Sequence, residues 1–196
     1  MGLKRTASLV FVGSVWPSEE VLTLLCVARR DWFRDKLVVE VGGGMTCLAG
    51  VTVLLTDGNE TSVQNVARIR DRNRPLFGTT DVVASRLRWT EPTDVASLRD
   101  KFDVILSADC LFFDDARDAL ARFILAALKP GGVALVVAPA RSGTLDRFQD
   151  EVFRCGLRVV RLERYGALLD DVIHSHRSNP TFDPDLHLPV LLELSD

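Results

Sequence analysis

The feature that most constrains this 196-residue chain is an apolar run that ends in an acid and three glycines, Leu37-Val38-Val39-Glu40-Val41-Gly42-Gly43-Gly44. Bounded by glycine, it reads as a buried strand. A second run, Val51 to Leu55, ends at Thr56-Asp57. Glycines at a strand end leave bare backbone against which a ligand can lie. A carboxylate at the end of the next parallel strand, about 15–20 residues on, can hold two ribose hydroxyls. The two runs together point to a nucleoside-cofactor site with Asp57 as its ribose acid.

The runs stand close together. Only Gly42–Gly50 separates them, with Met45–Gly50 making two helical turns at most, whereas a parallel crossover needs a dozen or more residues. Either the second strand begins later than its apolar run, or the crossover is abnormally short.

Elsewhere strands and helices alternate. Ser8–Val12 reads as a short strand. Pro17 and the acids after it open a helix whose apolar face is Val21, Leu24, Leu25, Val27 and Ala28. Beyond Asp57, helices are expected over Glu60–Arg72, Thr93–Arg99, Asp114–Leu128 and Thr144–Cys155, with Lys129-Pro130-Gly131-Gly132 closing the third and Gly156 the fourth. Strands are expected over Val82–Trp89, Phe102–Leu106, Val133–Ala138, Leu157–Leu162 and His187–Leu194, and Tyr165–Pro184 reads as irregular. Near-continuous apolar strands such as Phe102–Leu106 belong to sheets covered on both faces, and the alternation argues for a doubly wound, mostly parallel α/β sheet.

A net charge of −3 gives no bulk attraction to nucleic acid or an anionic membrane. Arg68, Arg70, Arg72 and Arg74 form one basic cluster, which reads as a solvated helix face with Asp71 interleaved or as a surface for an acidic partner. The four cysteines show no C-x-x-C pair and no spacing to histidine, so reduced thiols and no metal site are expected. No segment approaches the roughly 18 apolar residues of a membrane span.

Four stretches carry a resemblance: Val15-Trp16-Pro17-Ser18-Glu19-Glu20, Val41-Gly42-Gly43-Gly44-Met45-Thr46-Cys47-Leu48-Ala49-Gly50, Leu54-Leu55-Thr56-Asp57-Gly58-Asn59-Glu60 and Ala108-Asp109-Cys110-Leu111-Phe112. They resemble the calmodulin-lysine N-methyltransferase family, a branch of the seven-strand, S-adenosyl-L-methionine-dependent protein methyltransferases. The likeness runs from about Ser14 onward. It implies one methyltransferase domain over residues 15–196 behind an N-terminal remnant, 1–14, and a Rossmann-like seven-strand sheet ending in an antiparallel hairpin, Leu157–Leu162 with His187–Leu194. The chain departs from the family in two places. The region before Val15 is short, and about two turns of the first crossover are missing between Gly50 and Val51.

Carried over by position, the resemblance places Gly42 and Gly44 against the methionine part of S-adenosyl-L-methionine, with Glu40 supporting their loop. Asp57, with Asn59 beside it, takes the ribose; Trp89 flanks the adenine with Ala108 close by; Trp16 closes the site. Asp109 and Phe112 form an acid-x-x-aromatic motif beside the substrate lysine. Methyl transfer to an amine needs a neutral nitrogen and a straight approach. Apolar Leu111, Phe112 and Phe113 disfavour the ammonium, while Asp109 orients the amine first and serves as base second. From the residues alone, Asp109 is equally an acid capping the following helix.

The implied activity is trimethylation of a lysine of calmodulin by a monomeric protein of the cytoplasm, with the nucleus as a second compartment. Calmodulin is acidic, so Arg86, Arg88, Arg141 and Arg147 near the strand ends are candidates to steer it. The alternative is a methyltransferase-like binding protein impaired by its short crossover. A nicotinamide dehydrogenase is weaker, because Gly42-Gly43-Gly44 lacks the G-x-G-x-x-G spacing.

Overall fold

A computed structural model describes residues 16–44, 54–165 and 167–196. The expected strand Ser8–Val12, the short helix at Met45–Gly50 and the start of the second run at Val51–Val53 lie outside the described residues.

Helix α1 (Pro17–Ala28) starts with proline in its first turn, where the missing N–H is no loss. Its inward stripe is Val21, Leu22, Leu25 and Cys26, all buried. Val27 and Ala28, expected inside, are exposed, because the pairs 21/25 and 22/26 already complete the contact face. Strands β1 (Val38–Val41) and β2 (Leu54–Asp57) follow, then α2 (Glu60–Asn73) and β3 (Val83–Arg86). A short helix α3 (Pro92–Ala96) leads to β4 (Phe102–Ala108), α4 (Asp114–Ala127) and β5 (Leu128–Ala138). The chain continues through α5 (Thr144–Arg154), β6 (Arg158–Leu162), α6 (Ala167–Arg177), α7 (Pro184–His187) and β7 (Val190–Ser195). Among the described residues no helix is long and apolar enough to cross a membrane.

The seven strands form one sheet in the order β3-β2-β1-β4-β5-β7-β6. The first five run parallel, and β7 pairs antiparallel with both β5 and β6. This is the doubly wound sheet with an antiparallel C-terminal hairpin. The order reverses between β1 and β4, and such a switch point opens a crevice at the carboxyl ends of the strands. Val39 pairs with Leu54 and Glu40 with Leu55, so β1 and β2 are parallel neighbours.

Two elements differ from the sequence expectation. Lys129-Pro130-Gly131-Gly132 does not close α4 from outside but lies within β5, where the register with β4 shifts between Phe102 and Val104. A Cβ at Gly132 would stand 2.9 Å from the Lys129 carbonyl, so the irregularity requires glycine. The stretch read as irregular, Tyr165–Pro184, contains helix α6, whose Ile173 is buried in the core.

Alternate strand residues feed two cores. On one face Val39, Val41, Ile105 and Val136 pack under Leu120, Phe123 and Ile124 of α4 and Leu145 and Phe148 of α5. On the other, Val38, Val104, Leu106 and Leu135 meet Leu22, Leu25 and Cys26 of α1, with Ile173 of α6. The small cluster Leu55–Val66 anchors α2 at the β3 side.

Candidate functional site

The carboxyl ends of β1, β2, β4 and β5 lie together at one edge of the sheet. Past β1, Gly42 adopts φ +69°, a conformation that side chains rarely take. A Cβ there would sit 2.3 Å from Cys110 Sγ and 3.3 Å from the Trp89 ring, so Gly42 is glycine on steric grounds as well. Gly44, at φ +60°, would meet nothing within 4 Å, and open space lies over its backbone. Asp57 closes β2 beside this turn. One of its carboxylate oxygens accepts the Gly44 N–H at 2.9 Å and the other the Asn59 N–H at 2.7 Å. Burial raises the Asp57 pKa, and these backbone donors, with Ser62, pull against it. A carboxylate has about four lone-pair sites, so acceptor capacity remains for a further donor.

Asn59 is the N-cap of α2, its side-chain oxygen accepting the Thr61 N–H at 2.8 Å. The Trp89 indole N–H donates to the Ala116 carbonyl at 3.1 Å, which fixes the ring against the Gly42 turn. Cys110 joins the β1 and β4 loops, its thiol lying 3.3 Å from the Ala108 carbonyl, 3.5 Å from that of Val41 and 3.6 Å from that of Gly42. Burial pushes this thiol up to about 12, so it is an inert contact rather than a nucleophile.

Asp109 follows β4 in the left-handed region, at φ +52°. Its N–H donates to the Val137 carbonyl at 2.8 Å, holding the turn to β5. Its carboxylate does not cap α4, whose N-cap is Phe113 without a side-chain bond. It accepts from Arg141 Nη2 at 2.9 Å, and both side chains are largely buried, 11% and 15% exposed. Burial dominates and pushes the Asp109 pKa up to about 6, although the Arg141 charge and hydrogen bond pull it down. The Arg141 guanidinium also lies 5.6 Å from the Phe112 ring centre and 5.4 Å from that of Trp16. Phe112 packs against the exposed Phe113 at 4.1 Å between ring centres, whereas Leu111 is part of the core. Arg117, buried in α4, donates to the Leu111 carbonyl at 3.1 Å and pairs with Asp114, which sets the loop.

A chain of contacts thus joins Asp57, Gly44, Gly42, Trp89, Cys110 with Ala108, Asp109, Arg141, Phe112 and Trp16. Glu40 stands apart. It is 1% exposed, and Glu19 is its neighbouring carboxyl. Burial, then the charge of Glu19 and a hydrogen bond with it, raises its pKa well above the usual carboxylate range, and its burial places it behind the glycine turn. Glu19, read from sequence as a helix-start acid, is itself buried.

The four expected steering arginines differ in their partners. Arg141 is committed to Asp109, Arg88 to Asp94, and Arg86 lies 3.9 Å from Glu60, while Arg147 is exposed and donates to the Ser142 carbonyl. In the basic cluster Arg70 pairs with its neighbour Asp71. A separate cavity of about 400 Å³ lies between the end of β6 and α6, where Glu163, Asp170, Arg164 and Arg177 line it with both charge signs. Among the described residues no His, Cys, Asp and Glu group could hold a metal ion.

Arg141 and Glu19 were not among the sequence-derived site residues. The only signal for either was its place near a strand end or helix start.

Comparison with known proteins bears on the fold and the family. A solved TehB-like SAM-dependent methyltransferase from Corynebacterium glutamicum superposes with a TM-score of 0.59 at 17% identity, over 99% of this chain and 95% of that one. A methyltransferase from Pyrococcus furiosus gives 0.59 at 14% identity, over 88% and 81%. At these identities the likeness establishes the fold. The calmodulin-lysine N-methyltransferase of Arabidopsis thaliana is 32% identical, across 92% of this chain, which spans 64% of that relative's length. The lysine methyltransferase family pattern matches residues 10–154, well over half of the sequence, and the chain therefore belongs to the lysine methyltransferase family.

Proposed function

We propose that this chain is an S-adenosyl-L-methionine-dependent protein-lysine N-methyltransferase that trimethylates a lysine of calmodulin. The observation that carries the reading is the meeting, at one sheet edge, of a bare glycine turn tied to Asp57 with an Asp109–Phe112 motif next to it. The similarity to the Arabidopsis protein supports the choice of substrate.

The residues present suit the cofactor. Open space over Gly44 would take the methionine part, and the spare lone pairs of Asp57 the ribose hydroxyls. The Trp89 ring, fixed by its bond to Ala116, would flank the adenine with Ala108 beside it. Asn59 and Glu40 would act indirectly, one by capping α2 and the other from behind the turn, and Trp16 would close the edge. S-adenosyl-L-methionine supplies, when bound, a methyl group activated on a sulfonium.

The protein's own part is to present a neutral amine in line. Phe112 would cover the lysine stem and keep water from its nitrogen, which disfavours the ammonium. Asp109 would orient the nitrogen through Oδ2. A pKa near 6 leaves it ionised at pH 7, able to accept a hydrogen bond but a weak base. The proton therefore leaves to solvent before transfer rather than during it.

Calorimetric titration with S-adenosylhomocysteine tests the reading. Saturable one-to-one binding, lost in Asp57→Ala, is expected, followed by lysine methylation when calmodulin and the methyl donor are added. A folded sample that does not bind would overturn it. A second reading, a methyltransferase-like binding protein without turnover, draws on the short sequence spacing between the two apolar runs; cofactor binding without methylation would favour it.

A further inference from the structure

We propose that Arg141 is a built-in occupant of the lysine seat, a lid that the substrate ammonium must displace before the site can work. The inference rests on the reading of Asp109 and Phe112 as the lysine end of the site.

The seat is defined by what surrounds the guanidinium. Aromatic rings of Trp16 and Phe112 lie 5.4 and 5.6 Å from its carbon, and the Asp109 carboxylate accepts from it at 2.9 Å. Aromatic rings plus a carboxylate form the environment that binds a lysine ammonium or its methylated forms. Arg141 satisfies the same chemistry from within the chain. Cation for cation, its removal leaves the charge balance of the seat intact once a lysine enters.

Two independent features show that the occupant is held imperfectly. Arg141 Nε is buried and has no hydrogen-bond partner among the described residues, a donor that solvent would satisfy if the side chain swung out. The backbone beneath is strained, with Arg141, Ser142 and Gly143 all in the left-handed region at φ +42°, +51° and +81°. That loop is fastened through main-chain groups, the Arg141 N–H to the Asp185 carbonyl at 2.7 Å and the Ser142 N–H to the Asp185 carboxylate at 2.8 Å. The side chain can therefore leave while its loop stays clamped to α7. On the other side, the His187 ring of α7 is stacked near Trp16, 6.0 Å between centres, so the aromatic wall keeps a support when the guanidinium goes.

The test uses tetramethylammonium as probe, which needs neither the methyl donor nor turnover. Wild type and Arg141→Ala are titrated while the Trp16 indole signal is followed by NMR. Opening the seat is expected to tighten binding about tenfold, the range of a desolvated cation–aromatic contact. Adding Phe112→Ala to Arg141→Ala should abolish the gain. Equal affinity in wild type and Arg141→Ala, or a gain that survives loss of Phe112, would overturn the proposal. Arg141→Asn, a residue that tolerates positive φ, gives the same reading should the alanine variant not fold. Failure of S-adenosylhomocysteine binding would sink the methyltransferase reading while leaving this result interpretable. If both stand, Arg141→Ala should lower KM for a lysine peptide.

Discussion

The two strand-end carboxylates of the site are held in opposite ways. Asp57 takes its hydrogen bonds from the main-chain N–H groups of Gly44 and Asn59. Asp109 takes its partner from the end of a long side chain, Arg141, rooted in a left-handed loop. Burial raises both pKa values, so the surroundings are alike and only the partner differs. Main-chain donors are fixed once the sheet forms and cost nothing to reorganise. A side-chain donor can be exchanged for another cation. The half of the site built from backbone is suited to a ligand that stays the same, and the half built from side chains to one that enters, changes and leaves.

The sharpest way to break the contrast is to strike the backbone half at Gly42. Gly42→Ala combines a disfavoured φ with a Cβ 2.3 Å from Cys110 Sγ, and should cost about 3 kcal/mol in urea unfolding. Removing the obstacle in Gly42→Ala/Cys110→Ala should recover about half of that, the remainder being the backbone term. Full recovery would mean that the turn is less rigid than the contrast requires.

The side-chain half is probed by pH. The folded-state pKa of Asp109, about 6, lies above that of an unfolded aspartate, so the folded state holds more protons between about pH 4 and 6. Stability from this group is therefore full below pH 4 and falls as pH rises through 6. The stability difference between Asp109→Asn and wild type should shift in favour of the variant across that window, by on the order of 2 kcal/mol. A difference that stays flat would place Asp109 in a more polar setting than its burial indicates. The smallest effect belongs to Asn59→Ala, which loses only the α2 cap at about 1 kcal/mol and should weaken S-adenosylhomocysteine binding by no more than a few-fold.

The contrast also marks what the sequence could reveal. The backbone half was legible, because glycines after an apolar run and an acid after the next one are local signals, and Asp57 does meet the Gly44 N–H. Asp109 was also legible by position, but its partner was not. Arg141 lies 32 residues away on a different loop, and from sequence it was indistinguishable from Arg147, which remains in solvent. Glu40 stands in the glycine motif, where the resemblance makes it a support for the loop. Strand alternation turns it toward the α1 face with Val38, and only the packing of α1 brings Glu19 there. Helix α6 was missed because its histidines, serine and acids dilute the apolar signal around Ile173, the buried residue of that helix. The bulge in β5 was misread as a helix stop because Pro-Gly-Gly signals the end of any element and does not say what comes next.

The position of β7 has a consequence for how the chain is made. It is the latest of the seven strands in sequence, yet it lies between β5 and β6. While the nascent chain emerges, β6 is complete before the strand it must pair with exists. Through that interval Leu135–Ala138 of β5 presents an open, wholly apolar edge to every neighbouring chain. A chain that lacks β7 should therefore be prone to aggregate through that edge.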